Sequence, residues 1–264
     1  MGGILQDIWI YRFFILNSVR NKIFSKLSRS KLGGLWIILS PLSQVLIFSL
    51  ILSAVLKAKL PGIDNKYAYA LYLMSGLLCW SLFNNINLGC TYLFIENGNL
   101  MKKMRFPRIT LPAILLGTQL FYFLALFAAM LFIFLLLGHR FSWTLFWLIP
   151  VTTVLVIFSI SIGILIAVFA VFIRDLVEAV PILLQLLFWS TPIVYPSNII
   201  PESYRYLLEI NPLFHFADAF HNILLYDRAP ELGGLLILLP ISLGLSGAAL
   251  ATFRRAGEEL VDSL

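Results

Sequence analysis

The stretch that decides the fold runs from residue 172 to residue 202 and reads FIRDLVEAVPILLQLLFWSTPIVYPSNIIPE. Three charged residues separate two long apolar runs, namely Arg174, Asp175 and Glu178. Three prolines interrupt the second run, namely Pro192, Pro196 and Pro201. Because proline lacks a backbone N–H and disfavours a helical conformation in the residue before it, the second run is predicted to be a short helix that ends among these prolines.

The composition predicts that the solvent around this chain is a lipid bilayer. Of its 264 residues, 60% are hydrophobic and 12% are charged, whereas a soluble domain carries about a quarter charged residues. Such a chain cannot cover its surface against water, but it suits a membrane. Cys79 and Cys90 lie in apolar sequence and are interpreted as small buried hydrophobes. The three histidines do not cluster, so no metal site is predicted.

A transmembrane helix needs about 20 predominantly apolar residues. Six segments are candidates: residues 32–56, 68–95, 109–137, 143–173, 177–194 and 232–253. The fourth is longer than the bilayer requires, so it must tilt or project beyond the lipid. The predicted fold class is therefore all-α, a polytopic membrane protein with six transmembrane helices.

The basic residues predict the orientation of these helices. With both ends in the cytoplasm, 13 of the 19 Lys and Arg residues lie on the cytoplasmic side and 6 lie outside. This excess follows the positive-inside rule. The net charge of +6 then needs no nucleic acid partner to explain it.

The first 31 residues predict a basic amphipathic helix rather than a seventh span. Apolar residues recur at helical spacing, as in Ile4, Ile8, Tyr11 and Ile15, and basic residues interrupt them at Arg12, Arg20, Lys22 and Lys26. Such a helix suits the cytoplasmic membrane interface and its lipids. The alternative is an ordinary helix packed on a cytoplasmic protein.

The segment between the second and third spans, residues 96–108, carries four basic residues within seven positions. Its Asn97-Gly98 pair is typical of a turn or cap. One interpretation is topogenic, with the positive charges holding the loop in the cytoplasm. The other is a short cytoplasmic helix that docks on a partner, and the two are compatible.

The charged residues of the opening stretch predict a tight cytoplasmic turn between the fourth and fifth spans. The Asp175 carboxylate is placed to cap the next helix or to pair with Arg174. A catalytic dyad is not favoured, because the pair has no metal motif, nucleophile or histidine beside it.

Residues 195–230 are too apolar for a free loop and contain no stretch long enough to span a bilayer. Irregular backbone at membrane depth is tolerated only where protein buries it or where it lines a cavity. We expect two short re-entrant or interfacial helices, broken near Asn211-Pro212. Their functional interpretation is an outer gate, and the alternative is an aromatic belt at the membrane interface.

Several motifs in order resemble a known family. The first group of motifs consists of RDL at 174–176, PILLQLLFWSTPIVYP at 181–196, and the later IP and NPL. The second motif is KLSRSKLGGLWIILSPL at 26–42, and the third is MKKMRFPR at 101–108. Together they resemble the polysaccharide-exporting membrane subunits of ABC transporters of the ABC-2 type, over about residues 10 to 255. Within that family the chain looks most like O-antigen exporters of Gram-negative bacteria, with capsule and teichoic acid exporters as close relatives.

The resemblance implies a homodimeric channel in the inner membrane, with one cytoplasmic ATPase subunit docked on each copy. ATP and Mg²⁺ would be bound by those ATPase subunits, whose activity moves an undecaprenyl-linked polysaccharide outward. This chain has no Walker A sequence, so it is expected to be a transport subunit and not an enzyme. It would consist of an interface helix, residues 1–31, and one transmembrane domain, residues 32–264.

The family resemblance and the sequence pattern together predict three groups of site residues. Expected to couple the chain to the ATPase are Lys102, Lys103, Arg105, Phe106 and Arg108. Aromatic rings offer apolar contact to sugars without fixed hydrogen bonds, and those expected along the glycan pathway are Trp36, Phe48, Phe188, Trp189 and Tyr195. Expected at the cytoplasmic turn or at lipid headgroups are Arg20, Lys26, Arg174 and Asp175.

Two other functional classes fit less well. A membrane glycan-processing enzyme needs a large external loop with catalytic residues, but here the longest external segment is mostly apolar. An ion channel or secondary transporter often carries charges in mid-span, and these spans have almost none. A subunit that exports a drug or small lipid stays open within the same superfamily.

Overall fold

The structure, a computed structural model, describes residues 4–28, 31–56, 68–103, 106–138, 141–256 and 259. These residues form helices and no strands, which confirms the all-α prediction. In chain order the helices are α1 (Ile4–Ile10), α2 (Arg12–Ser28), α3 (Leu35–Leu56), α4 (Ala68–Lys103), α5 (Thr110–Leu136), α6 (Leu148–Phe172), α7 (Leu176–Ser190), α8 (Arg205–Ile210), α9 (Pro212–Leu224) and α10 (Leu232–Arg255). Short 3-10 turns occupy Trp143–Trp147, Ser197–Ile199 and Glu202–Tyr204.

Helix α4 is the centre of the fold. It has 36 residues and packs against α3, α5, α6, α7 and α9. Ile86, Cys90 and Phe94 lie one turn apart on its buried face and are fully buried. Facing them on α6 is Gly163, where an added Cβ would lie 2.7 Å from the Cys90 sulfur. A larger residue there would separate the two helices.

Cys79 and Cys90 are both buried free thiols. The prediction that they act as small hydrophobes is therefore confirmed.

Three helical segments of the described chain are long and apolar enough to cross a membrane: Thr110–Leu136, Trp143–Phe172 and Leu232–Arg255. They match the third, fourth and sixth predicted spans. Helices α3, α4 and α7 match the other three in position, but α7 has only 15 residues. The count of six spans stays a prediction, as does the division into residues 1–31 and 32–264.

The N-terminal segment forms two helices, α1 and α2, rather than one, with a turn at Tyr11 between them. Ile15 and Ile23 are the buried residues of α2, which packs against α5. Trp9 of α1 and Phe13 of α2 are 69% and 65% exposed. An apolar surface of this kind next to basic residues is what an interfacial helix presents to a bilayer.

The turn predicted at Asn97-Gly98 is wrong, because α4 continues through it to Lys103. Gly98 is buried in the packed helix, and the Asn97 side-chain amide donates a hydrogen bond to the carbonyl of Leu93, 2.7 Å away. Tertiary packing has overridden the local turn preference. The predicted coupling segment therefore begins as the end of a long helix.

The predicted turn between the fourth and fifth spans is confirmed, since α6 ends at Phe172 and α7 begins at Leu176. The predicted cap is wrong. Asp175 has helical dihedral angles, φ −62° and ψ −21°, and its carboxylate accepts no capping hydrogen bond, since a capping residue needs a more extended conformation. Arg174 and Asp175, both within the described residues, form no ion pair with each other.

After α7 the chain forms the two short helices expected between the last spans, with the break at Asn211-Pro212. The Asn211 side-chain oxygen accepts a hydrogen bond from the Leu213 N–H at 3.0 Å, which caps α9. Helix α9 is buried against α4, α6 and α10, with Phe216 and Phe220 fully buried. Helix α8 is mostly exposed. The burial of α9 fits a re-entrant helix better than an interfacial belt.

Candidate functional site

A polar cavity opens beside the exposed face of α4. It has two adjoining lobes, which share Lys26, Gly89, Glu96, Gln119 and Tyr122. The α3 lobe, between α3, α4 and α5, has a volume of about 540 Å³. The α2 lobe, between α2, α4 and α5, has a volume of about 870 Å³. We call the two lobes together the polar cavity.

Helix α4 supplies one wall of the polar cavity through a stripe of side chains three or four residues apart. The stripe comprises Ser81, Asn84, Asn85, Leu88, Tyr92 and Glu96. The opposite side of the same helix carries the buried apolar residues Ile86, Cys90 and Phe94. An amide without hydrogen bonds in an apolar medium costs about 2–7 kcal/mol. A polar stripe on a helix of this kind must therefore face water or a polar ligand rather than lipid.

The other walls of the α3 lobe mix aromatic rings with hydrogen-bonding groups. Trp36 and Ser40 come from α3, Trp80 from α4, and Gln119 and Tyr122 from α5. Rings of this kind provide apolar faces, while amides and hydroxyls both donate and accept hydrogen bonds. The lobe is therefore suited to a ligand that has both apolar faces and many hydroxyl groups.

The α2 lobe is the basic part of the cavity. Lys22 and Lys26 lie one turn apart on α2 and both line it, opposite Glu96. The Lys26 ammonium lies 4.6 Å from the centre of the Tyr122 ring, a cation–π contact. With two lysines against one carboxylate, the lobe favours an anionic group.

Four side chains hold the segment after α7 in place, and we call them the tyrosine clasp: Tyr69 and Tyr72, which fasten it to α4, and Thr191 and Asn211, which join it to the start of α9. The Tyr69 hydroxyl donates to the Val194 carbonyl at 2.7 Å. The Tyr72 hydroxyl lies 2.9 Å from the Pro192 carbonyl and 3.0 Å from that of Tyr195. The Asn211 amide donates to the Thr191 hydroxyl at 2.9 Å. These bonds fix the backbone of residues 192–195 at the Ala68 end of α4.

Comparison with known protein families identifies the family of this chain. Residues 15–225, most of the chain, match the ABC-2 type transporter family. The chain is a member of that family. It is thus a multi-pass membrane protein, and the resemblance stated from its sequence motifs is confirmed. ABC-2 permeases work with ATPase partners in ABC exporters.

Named relatives cover the chain well. It is 27% identical over 266 residues to the O-antigen export system permease protein RfbA of Myxococcus xanthus, which covers 100% of both chains. It is 31% identical over 205 residues to the protein of the same name from Klebsiella pneumoniae, 77% of each chain. It is 26% identical over 264 residues to the polysialic acid transport protein KpsM of Escherichia coli, 99% of this chain and 98% of that one. These relatives are permease subunits and not enzymes.

Within this ABC-2 protein, one of the predicted pathway aromatics lines the polar cavity and one lies next to it. Trp36 lines the α3 lobe. The Phe188 ring lies 5.3 Å from that of Trp80 and so backs the cavity wall. Trp189 is exposed at the end of α7, and its carbonyl accepts a hydrogen bond from the Tyr195 hydroxyl at 2.9 Å. The side chain of Phe48 lies outside the described residues.

The predicted coupling residues lie between the end of α4 and the start of α5. Lys102 and Lys103 end α4 and are exposed. The Phe106 ring lies 5.9 Å from the Phe14 ring of α2, so this segment packs on the N-terminal helices. Arg108 is half-buried just before α5, and Arg105 lies outside the described residues.

The residues predicted at lipid headgroups are not brought together. Lys26 lines both lobes of the polar cavity. Arg20 is exposed on α2, where its guanidinium stacks on the Phe24 ring at 5.4 Å. Arg174 and Asp175 are exposed in the turn before α7 and line neither lobe.

Sequence reasoning missed the amides of the polar cavity, above all Asn84, Asn85 and Gln119. A signal for them was present, because amide side chains interrupt spans that are otherwise apolar. Their spacing along α4, together with Tyr92 and Glu96, marks one helical face. An average of hydropathy over the span conceals that face.

Proposed function

We propose that this chain is the channel-forming transmembrane subunit of an ABC transporter that exports a lipid-linked polysaccharide, of the O-antigen kind, across the inner membrane. ATP hydrolysis in a separate subunit would drive it. The observation that carries the proposal is the polar and aromatic stripe of α4 facing the polar cavity in an ABC-2 membrane protein. The relatives named for O-antigen export and polysialic acid transport support the substrate class.

The lining of the α3 lobe suits a sliding glycan. A sugar chain presents hydroxyls at its edges and C–H groups on its faces. Amides of Asn84, Asn85 and Gln119 match the hydroxyls, and the rings of Trp36 and Trp80 match the faces. These amides stay hydrated between sugar contacts, so each contact is weak, as passage of a long chain requires.

The α2 lobe suits the other end of the substrate. A lipid carrier such as undecaprenyl holds its glycan through a pyrophosphate, and ammonium groups bind phosphate as point charges. Lys22 and Lys26 provide two of these on one side of the lobe. The headgroup would then lie at the cytoplasmic interface, where α2 is expected to rest on the membrane.

The proposed assembly is a homodimer with two ATPase subunits and both chain ends in the cytoplasm. The positive-inside excess supports this orientation. Lys102, Lys103, Arg105, Phe106 and Arg108 would contact the ATPase. The packing of Phe106 on Phe14 would pass a displacement of that segment to the N-terminal helices.

The test of the function is the location of lipid-linked polysaccharide in cells that lack this chain. Surface labelling is compared with the intracellular lipid-linked pool. We expect surface glycan to vanish while the internal pool accumulates, and a plasmid copy of the chain to reverse both changes. Full-length glycan at the surface of the deletion strain would refute the proposal.

A matched pair of variants tests the cavity itself. Asn85→Leu replaces an amide in the α3 lobe, and Thr153→Leu replaces an exposed polar residue of α6 away from it. At equal protein levels we expect Asn85→Leu to reduce the export rate by about two- to tenfold, because the loss of one weak hydrogen bond costs about 0.5–1.5 kcal/mol. Thr153→Leu should leave export unchanged. Equal rates would exclude the polar cavity as the pathway.

A second candidate substrate is a capsular polysaccharide or a teichoic acid. The match to a polysialic acid transport protein over nearly the whole chain favours the capsular alternative. The deletion strain separates the candidates directly, since the surface polymer that disappears identifies the substrate. The glycan-processing enzyme is not supported, because the named relatives are permeases.

A further inference from the structure

A second cavity of about 260 Å³ lies next to the tyrosine clasp, and we call it the clasp cavity. Helix α9 contributes Phe214, Asp218 and His221 to its wall, and the segment after α7 contributes Ser197. Tyr226 closes it from the chain that follows α9. None of these residues lines the polar cavity, so the clasp cavity is a separate site.

Among the described residues, the one carboxylate that lines the clasp cavity belongs to Asp218, and it is held in place. The Asn222 amide, one turn further along α9, donates to its Oδ2 at 2.7 Å. This bond fixes the plane of the carboxylate, which leaves the acceptor positions of the other oxygen for a ligand. Burial raises the pKa of Asp218 to about 6, with a further contribution from Glu231. The carboxylate thus lies in a poorly hydrated place, where a donated hydrogen bond is worth more than in water.

The rest of the wall is uncharged. His221 is buried and stacks on Tyr72 with 3.8 Å between ring centres. Burial lowers the pKa of His221 to about 3, so the imidazole is neutral. Ser197 and Tyr226 add hydroxyls that donate and accept, and Phe214 adds an apolar ring. A metal ion would use only the oxygens of this wall, whereas a sugar ring also uses the hydroxyl hydrogens and the aromatic face.

We propose that the clasp cavity binds a single neutral sugar ring, with its hydroxyls on Asp218 and Ser197 and one C–H face on Phe214. The identity of that ring as part of the exported chain rests on the proposed function. The volume lies just below the usual range of about 300–1,000 Å³ for small-molecule pockets, which suits one ring and not a longer segment.

Occupancy of the cavity would have a mechanical effect. Its walls come from α9, from the segment after α7 and, through Tyr72, from α4. A ligand that touches all three stabilises the arrangement in which they are together, in proportion to its occupancy. A sugar in this cavity therefore keeps the tyrosine clasp closed.

The test uses the complete complex, this chain with its ATPase partner, in lipid nanodiscs. Saturation-transfer NMR is recorded with the methyl glycosides of glucose, mannose, galactose and N-acetylglucosamine, and with choline as a cationic probe. We expect saturable binding of at least one glycoside, with a Kd of the order of 1 mM. Asp218→Ala and Phe214→Leu should each weaken it at least about tenfold. Glu209→Ala, on the exposed helix α8, should not change it.

Three results would overturn the proposal. They are no saturable binding of any glycoside, equal binding by wild type and both cavity variants, and saturable binding of choline that displaces the glycosides. If Asp218→Ala does not yield a monodisperse complex, Phe214→Leu and Ser197→Ala decide. Export is measured separately by the deletion strain, so loss of surface glycan on deletion without glycoside binding refutes the cavity proposal alone. Glycoside binding with normal surface glycan on deletion refutes the proposed function alone.

Discussion

The two polar regions of α4 are built in opposite ways. At the tyrosine clasp, Tyr69 and Tyr72 are buried and their hydroxyls bond to backbone carbonyls of the segment after α7. At the polar cavity, Asn84 and Asn85 are partly exposed and face open space. The polar side chains at one end of α4 thus bind the segment after α7, whereas those in its middle line an open cavity. A substitution is expected to change stability at the clasp and transport at the cavity.

The largest difference between the two regions is expected from two glycines of α4. At Gly76 an added Cβ would lie 2.8 Å from the Nε2 of His221 and 3.0 Å from the backbone carbonyl of Ile193. Backbone cannot move aside cheaply, so the overpacking cost of about 1–3 kcal/mol outweighs the helix gain of alanine, and Gly76→Ala should destabilise the protein by about 1–2 kcal/mol. The measurement is thermal unfolding of the purified protein in detergent.

Gly89→Ala is the matched control at the polar cavity. The nearest atom to its added Cβ is a terminal methyl carbon of Leu115 at 2.8 Å, and a leucine side chain can rotate away. Alanine also gains about 0.5–1 kcal/mol over glycine inside a helix. Stability should therefore be unchanged or higher, and equal losses for the two variants would break the comparison.

The second effect is expected from the clasp hydroxyl of Tyr72. Tyr72→Phe removes the bond to the Pro192 and Tyr195 carbonyls and leaves them buried without a donor, at a cost of about 1–2 kcal/mol. Tyr92→Phe, in the cavity stripe, removes a hydroxyl that lines open space and should leave the unfolding temperature unchanged. A loss of stability in Tyr92→Phe as large as that in Tyr72→Phe would contradict this account.

The third prediction concerns pH. Burial lowers the pKa of His221 to about 3 from 6.5, so between these values the unfolded chain binds a proton that the folded chain does not. Stability from this group is present above pH 6.5 and falls as the pH drops, by up to about 1.4 kcal/mol per pH unit. The raised pKa of Asp218 has the opposite effect, because below about pH 6 the folded chain binds a proton there that the unfolded chain does not, which increases stability. A variant is therefore needed to separate the histidine contribution from that of Asp218.

His221→Phe removes the histidine contribution and leaves that of Asp218. Thermal unfolding between pH 7 and pH 5 should therefore show a steeper loss of stability in wild type than in the variant. Parallel curves would show that the clasp side of α4 is no more sensitive to protonation than the rest of the molecule.

The smallest effect is expected at the basic lobe of the cavity. Lys26→Gln removes the cation–π contact with Tyr122, which at an exposed site is worth about 0.5–1 kcal/mol. The unfolding temperature should fall only slightly, while binding of lipid pyrophosphate to the nanodisc-embedded complex should weaken. Lys31→Gln, on an exposed lysine that lines neither lobe, is the control and should change neither quantity.

The apolar architecture could be predicted because its signals are local. The six apolar segments, the turn at Arg174-Asp175 and the break at Asn211-Pro212 depend on composition and on proline within a few residues. The tyrosine clasp could not be predicted in this way. Tyr72 and Pro192 are 120 positions apart in sequence, and no local pattern marks a hydroxyl that finds a carbonyl at that distance.

The end of α4 and the polar cavity show two further limits. Asn97-Gly98 has strong local turn preference, but packing of Gly98 keeps the helix intact. Asn84 and Asn85 were visible as polar residues in a span, but the space in front of them is formed by α3 and α5. The residues that surround them are determined by tertiary packing, and the spacing of residues along one helix gives no information about that packing.

The continuity of α4 has a mechanical consequence. At about 1.5 Å per residue its 36 residues make a rod of about 54 Å, well beyond the roughly 30 Å of a hydrocarbon core. Helices α3, α7 and α10 contain an internal proline at which they can bend, but α4 contains none. If α4 crosses the membrane as predicted and Lys103 contacts the ATPase as proposed, a displacement of Lys103 would be transmitted toward Tyr72 without a proline hinge between them. The helix would then act as a lever from one face of the membrane to the other.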